Sequence, residues 1–344
     1  MQRRIREYGI RIGRFPTGPR NKISDVPGVR VGHATLRDAQ HQTGVTVILP
    51  AMDNLFRRKM VASAFVLNGF GKSQGLVQIG ELGTLETPIA LTNTLNVGKV
   101  WDALAEYMAR RCREDGVEMH SLNPVVGECN DASFNRICDR PVTMEHVLSA
   151  IETAAEDFEE GAVGAGTGTI CFGLKGGIGS ASRVIEIAET AYTLGILVQS
   201  NHGRMQNLLI GGRPVGEEIE NKLKAPSQTC DQGSIMMIVG TDLPLSSRQL
   251  GRILRRCAAG LARSGSYYGH GSGDVVIGFS TANRIPMDGM HQVRTLKMIS
   301  ENTLELVFEA CAEATEEAVL NSMVCAEGAV TLSGKQIHSL KEFL

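Results

Sequence analysis

The sequence has no C-x-x-C pair, although it contains eight cysteines, at Cys112, Cys129, Cys138, Cys171, Cys230, Cys257, Cys311 and Cys325. That spacing excludes a zinc knuckle and a compact disulfide framework. Most of these thiols are expected to be small buried hydrophobes. The eight histidines are dispersed, with neither H-x-x-x-H nor H-x-x-E-H spacing, so no metal site and no cofactor are expected. Aromatic residues make up only 5% of the chain and the net charge is −2. There is thus no basic face for phosphates and little stacking surface for bases, which argues against a nucleic-acid partner. No apolar run approaches the roughly 18 residues of a membrane span. The opening stretch, MQRRIREYGIRIG, is charged and has no signal-peptide core, so no membrane partner and a cytoplasmic location are expected.

The remaining composition is that of an ordinary soluble globular protein, with 42% hydrophobic and 21% charged residues over 344 positions. A chain of that length can bury a large core. Glycine is abundant, at 39 residues, and gathers in loops. The stretches DVPGVRVGHATL, GVTVILP and MVASAFVLNGFG read as strands ended by turn residues. In VGKVWDALAEYMARRCRED, Val97, Val100, Trp101, Leu104 and Met108 recur at helical spacing, with Asp115-Gly116 as the stop. TMEHVLSAIETAAEDFEEGAV reads as a second helix capped by Thr143. A third helix is SSRQLGRILRRCAAGLARSG, with Ser246 or Ser247 as its cap, and TLELVFEACAEATEEAVLNSMVCA is a long last one. LGILVQSNHGR and GDVVIGFSTAN add strands. Short strands that are apolar on both faces, with helices arriving in runs, point to sheets covered by helices. The polar linker KAPSQTCDQG resembles a domain boundary, but the strand after it is too apolar to begin an independent unit, so one domain over 1–344 is expected.

The run Ser234–Val239 is buried by pattern yet begins with a hydroxyl after Gly233. An internal serine needs a partner base to become a nucleophile. A serine at a chain's N-terminus brings its own, because an α-amine with a reference pKa of about 7.7–8.0 is partly neutral at pH 7. A preceding glycine tolerates strained angles and leaves its carbonyl open to the hydroxyl. The competing reading is a simple Gly-Ser turn at a strand entrance, and the dipeptide alone favours the turn. In GHGSGD, Ser272 and Asp274 lie two apart, so an extended backbone projects both to one side. Asn201 in VQSNHG follows an apolar strand, where its amide can meet an oxyanion. His202 beside it is a weaker candidate base. Glu128 in PVVGECND also follows an apolar run, where a carboxylate is costly unless it meets a cation. The glycine loops GAGTG (164–168) and KGGIG (175–179) fit neither phosphate-binding pattern and read as tight turns.

In their order and joint presence these stretches resemble the self-processing DmpA-type aminopeptidases. That family includes L-aminopeptidase/D-Ala-esterase/amidases and β-peptidyl aminopeptidases. The resemblance runs from GPRNKISDVPGVRVGHATL through LTNTLNVGKV, NPVVGECND, GAVGAGTGTICFGLKGGIGSASR, LVQSNHGR and GSIMMIVGTDLPL to GSGDVVIGFSTAN. It implies cleavage between Gly233 and Ser234 into chains 1–233 and 234–344, with Ser234 as nucleophile and its freed amine as base. Ser272 and Asp274 would support that nucleophile, Asn201 would supply the oxyanion donor, and Glu128 would hold the substrate's ammonium. Some members carry tyrosine where this chain has Asn130, placing that residue at the substrate but changing the contact. Lys72 stands where relatives commonly have an acid, and some relatives have glutamate in place of Asp274.

The implied fold is a four-layer α/β/β/α sandwich, similar in layout to N-terminal-nucleophile hydrolases with different connectivity. The implied assembly is a homo-oligomer, commonly a tetramer, acting on small peptides or amino-acid amides. Alternatives on the same fold are a β-peptidyl or ω-amide oligomer hydrolase, an acyltransferase, and an inactive ligand-binding relative.

Overall fold

A strand that is apolar on both faces needs cover on both sides, and the fold supplies it for the segment beginning at Ser234. The computed structural model describes residues 3–224, 233–287 and 292–344; part of the polar linker lies outside them. The strands that form its two main sheets are β1 (Arg30–Arg37), β2 (Gln42–Leu49), β3 (Arg58–Gly69), β4 (Thr84–Leu85), β5 (Ile89–Asn93), β6 (Val125–Cys129), β7 (Ile178–Ile187), β8 (Thr190–Asn201), β9 (Ser234–Thr241) and β10 (Gly273–Pro286). One sheet has the order β1-β2-β5-β6 and the other β4-β3-β10-β9-β8-β7. The helices that cover them are α1 (Val97–Glu114), α2 (Met144–Glu152), α3 (Ser247–Leu254), α4 (Cys257–Arg263) and α5 (Leu304–Val324).

Three apolar layers join these elements. Val45, Val47, Ala90 and Val126 of the four-stranded sheet pack against Val100 and Leu104 of α1 and Val147 of α2. Ile48, Leu91, Met236, Ile238 and Ile277 meet between the sheets. Ile235, Met237, Val239 and Val276 face Leu250, Leu261 and Val319 of α3, α4 and α5. Alternation along β9 therefore sends Ser234, Met236 and Ile238 inward between the sheets and their neighbours outward. The order helix, sheet, sheet, helix is the four-layer sandwich the resemblance implies.

Three sequence expectations change. The helix expected from Thr143 to Val163 ends at Glu152. Beyond it the Ala155 backbone pairs with Val31, and Glu156, Asp157 and Glu160 form ion pairs with Arg20, Lys22 and Arg4. The expected single helix after Ser246 is two, broken at Arg255-Arg256, and its cap is Ser246, whose hydroxyl accepts from the Gln249 N–H at 3.2 Å. Trp101 leaves the buried stripe of α1 and is 36% exposed, one residue past the fully buried Val100.

Helix α5 is buried along nearly its whole length, including Glu313 and Glu317. Arg183 on β7 donates to Glu313 at 3.0 Å and to Glu317 at 2.7 Å, and Arg6 reaches Glu317 at 2.6 Å. Burial pushes the Glu317 carboxyl up, but its hydrogen bond to Arg6 and the Arg183 charge outweigh that and hold it below the ordinary range.

Candidate active site

Ser234 opens β9 between two strands already in register with it. Asn201, the last residue of β8, is its antiparallel partner, and Gly273, the first of β10, its parallel one. Directly opposed residues share a face of the sheet, so Asn201 and Ser234 both turn inward. A Cβ on Gly233 would lie 2.0 Å from the Asn201 carbonyl oxygen, so the approach of the two backbones admits only glycine. The Gly233 carbonyl accepts from the Gly273 N–H at 3.1 Å and from the Ser234 hydroxyl at 2.6 Å. The hydroxyl therefore already touches the carbonyl group preceding it, and two donors draw electron density off that carbonyl carbon.

Ser272 donates to Asp274 Oδ1 at 2.6 Å, and both side chains are buried. The pair flanks Gly273, the residue beside Ser234. A Cβ on Gly273 would lie 2.5 Å from the Gly71 nitrogen, so glycine here lets the loop after β3 pass against the site. Burial, with the Asp274 charge behind it, pushes the Tyr268 hydroxyl up to about 12. That hydroxyl donates to the Ala258 carbonyl on α4.

Asn201 is buried, and its Oδ1 accepts from the Ile170 N–H at 2.9 Å. His202 is buried beside it; its ring meets Phe172 edge-on with centroids 5.1 Å apart, and its Nδ1 lies 3.8 Å from the Cys171 sulfur. Glu128, near the end of β6 in the other sheet, is buried too. Its Oε1 accepts from the Lys72 N–H at 2.9 Å and its Oε2 from the Thr94 hydroxyl. Both donors are neutral, so neither of these partners is the cation that a buried carboxylate calls for. Burial, the Glu128 charge and then Asp274 raise the Cys129 thiol far above its ordinary range, so both carboxylates act electrostatically on one residue where the two sheets meet.

Two positions at which the sequence departs from its relatives are both exposed. Asn130 is exposed, and its Oδ1 accepts from the Ala132 N–H at 3.0 Å, closing its own turn. The Lys72 side chain is exposed and folds back, with Nζ 2.5 Å from the Phe70 carbonyl. Its backbone, not its charge, reaches Glu128.

The glycine loops hold more chemistry than tight turns require. Lys175 is wholly buried and donates to the carbonyls of Thr169, Gly176 and Gly166 at 2.8, 3.0 and 3.3 Å. Burial, then the Arg37 charge, pushes its ammonium down to about 7, against the pull of Asp131. Burial pushes the Asp131 carboxyl up to about 6 despite hydrogen bonds from Thr43 and Asn135. Among the described residues no group of three or more His, Cys, Asp or Glu side chains gathers as metal ligands, and no helix is long and apolar enough to cross a membrane.

A hydroxyl against a polarised carbonyl, a buried hydroxyl–carboxylate pair, a fixed amide and a carboxylate with neutral donors are the kinds of group that acyl transfer can use. Comparison with known proteins gives the same class. The profile of Peptidase family S58 matches residues 21–337, and the chain belongs to that family: it is a peptide-bond hydrolase. It is 36% identical to the beta-peptidyl aminopeptidase BapA of Sphingosinicella microcystinivorans, over 98% of this chain and 89% of the relative. The structure of the PH0078 protein from Pyrococcus horikoshii OT3 superposes with a TM-score of 0.93 at 46% identity, over 99% and 97% of the two chains. The L-aminopeptidase D-Ala-esterase/amidase of Ochrobactrum anthropi, a prototype serine aminopeptidase with a variant of the Ntn hydrolase fold, superposes with a TM-score of 0.91 at 34% identity, over 98% and 95%.

Sequence reasoning did not single out Thr94, Gly273 or Lys175. Thr94 follows the apolar strand that ends at Asn93, much as Glu128 follows an apolar run, and that parallel was its only signal. Gly273 opens a stretch that reads as a strand, and Lys175 sits inside one that reads as a turn.

Proposed function

We propose that this peptidase is a serine aminopeptidase that activates itself at the Gly233–Ser234 bond. The observation that carries the reading is the contact of the Ser234 hydroxyl with the Gly233 carbonyl at 2.6 Å, in a carbonyl also bound by Gly273 N–H. Attack by Ser234 Oγ on the Gly233 carbonyl carbon breaks the peptide C–N bond and forms an ester, while the departing nitrogen takes the hydroxyl proton. Water then hydrolyses the ester, leaving a carboxylate on Gly233 and a free amine and hydroxyl on Ser234. The products are chains 1–233 and 234–344.

In turnover the Ser234 amine accepts the hydroxyl proton as the oxygen attacks the substrate carbonyl. Asn201, with Oδ1 committed to Ile170, turns its Nδ2 donor to the oxyanion. The leaving amine takes the proton, and water releases the acyl group by the same route in reverse. Ser272 and Asp274 orient the Ser234 amine. Glu128 binds the substrate's N-terminal ammonium, and that supports small peptides and amides with a free amino end as substrates. The exposed Asn130, whose Oδ1 is taken up by the Ala132 N–H, supports no more than a peripheral contact with substrate. The relatives named as beta-peptidyl aminopeptidases favour a second reading of the substrate, with a β-amino acid at the N-terminus. Rates on α- and β-amino-acid p-nitroanilides separate the two. The active form is a homo-oligomer, commonly a tetramer in the family the sequence resembles, and light scattering measures it.

Intact-mass analysis tests the proposal. Wild-type protein should give two masses matching a break before Ser234, and Ser234→Ala a single inactive chain. Wild-type protein that remains uncut and active would overturn it.

A further inference from the structure

We propose that Lys175 is a positioning residue for this reaction, holding Asn201 through the peptide group that joins Thr169 to Ile170. The inference rests on the oxyanion role given to Asn201 above. The Lys175 ammonium donates to the Thr169 carbonyl at 2.8 Å, and the N–H at the other end of the same peptide unit, that of Ile170, donates to Asn201 Oδ1 at 2.9 Å. Ammonium, peptide and side-chain amide thus stand in series. In its protonated form Lys175 puts a positive charge at the carbonyl end, which draws density along the peptide and makes its N–H a stronger donor. As a neutral amine it still donates to that carbonyl, and hydrogen bonds in a chain polarise one another in a low-dielectric interior. The Asn201 amide is held by its oxygen and polarised in the sense that strengthens its own N–H donors.

The surroundings fit a device for this purpose. Three carbonyls use the three protons of the ammonium. The Thr169 carbonyl also accepts from the Gly176 N–H at 3.0 Å, and the Ser200 N–H donates to Gly177 at 3.0 Å, which ties the loop to β8 one residue before Asn201. Asp131 supports the charge, Arg37 opposes it, and the Phe134 ring lies 5.3 Å away. A loop needing only closure could use a hydroxyl or an amide; a wholly buried ammonium is a costly choice for that alone.

The test compares Lys175→Gln, which keeps a donor but not the charge, with Asn201→Ala and the double variant. All are assayed on alanine p-nitroanilide and normalised to cleaved chain by intact mass. Asn201→Ala should lower kcat by about 10²–10³, the usual loss for one oxyanion donor. Lys175→Gln should lower kcat by about tenfold, with KM within about twofold, and should add nothing in the Asn201→Ala background. Should Lys175→Gln fail to fold, Ile170→Pro, which removes the N–H while keeping the lysine, carries the same expectation. A Lys175→Gln or Ile170→Pro kcat at the wild-type level beside a crippled Asn201→Ala overturns this inference alone. So does a full additional loss in the double variant, the mark of a merely structural lysine. An unaffected Asn201→Ala overturns the oxyanion role and this inference with it.

Discussion

Replacing Gly233 by alanine isolates the geometry of self-cleavage. The new Cβ would meet the Asn201 carbonyl oxygen at 2.0 Å, the His202 Cα at 2.8 Å and the Asn201 carbonyl carbon at 3.0 Å. All three are backbone atoms at the end of a paired strand, so no side chain can swing aside. Ordinary contact requires residue 233 to retreat by about 1 Å, and a misplacement of that size costs a reaction about 10²-fold. The retreat also pulls the scissile carbonyl away from the Gly273 N–H. Crowding of this kind destabilises by about 1–3 kcal/mol, so the precursor should still fold. Precursor purified cold and followed by intact mass should cleave about a hundredfold more slowly than wild type. Material that has been cut should then hydrolyse alanine p-nitroanilide at close to the normal rate, because residue 233 is by then a chain end free to withdraw. Cleavage at the wild-type rate would refute the steric account, and slow cleavage joined to equally poor turnover would refute its restriction to maturation.

Three further outcomes follow from other parts of the structure. Glu128→Gln should raise KM on free-amine substrates about tenfold or more, the scale of one charged hydrogen bond, with little change in kcat; a lower kcat at constant KM would argue against ammonium binding there. Glu317→Leu takes from the buried Arg183 one of its two carboxylates, leaving Glu313, and takes from Arg6 its partner; it should cost about 3 kcal/mol in urea unfolding, the low end for a broken buried pair. Burial, against a hydrogen bond that the ring donates to the Glu159 carbonyl, lowers His33 to about 4; between pH 4 and 6.5 the unfolded chain binds a proton the folded one does not. Stability should therefore fall as pH drops through that window, by up to about 3 kcal/mol from this group. Asp131, raised to about 6, acts in the opposite sense, so the difference in unfolding midpoint between wild type and His33→Gln at pH 4.5 and 7 isolates the histidine.

How much of this was legible depended on whether the signal was local. The Ser272–Asp274 contact follows from period-two alternation alone, and the buried character of β9 from its uninterrupted apolar run. The cap was legible only as Ser246 or Ser247, and the structure settles it by pairing the Ser246 hydroxyl with the Gln249 N–H. The early end of α2 was not: the acidic run after Glu152 continues a helical composition, and its true partners are Arg4, Arg20 and Lys22, more than a hundred residues upstream. Glu128 was found because a carboxylate after apolar residues is anomalous. The neutrality of its donors was hidden, since one is a backbone N–H from a loop that only Gly273 brings close. Lys175 was hidden for a similar reason. A lysine beside two glycines reads as an exposed turn until the fold shows it without a path to water.

The position of Ser234 at the first rung of β9 also explains why scission need not dismantle the site it creates. Seven further residues, Ile235 to Thr241, are paired with β8 on one side and β10 on the other. That ladder, and the two apolar layers it separates, hold the serine independently of residue 233. In the uncut chain Asn201 and Gly273 are already the strand partners of Ser234 and the Ser272–Asp274 pair already flanks Gly273, the arrangement the proposed mechanism calls for after cleavage. A nucleophile on a loop would gain freedom when its peptide bond broke and lose the orientation that catalysis needs; one at the start of a central strand keeps its orientation and gains only the amine. Amide exchange across 235–241 should accordingly be the same in Ser234→Ala precursor and in cleaved wild type. Faster exchange in the cleaved form would mean that the site is assembled after scission rather than before it.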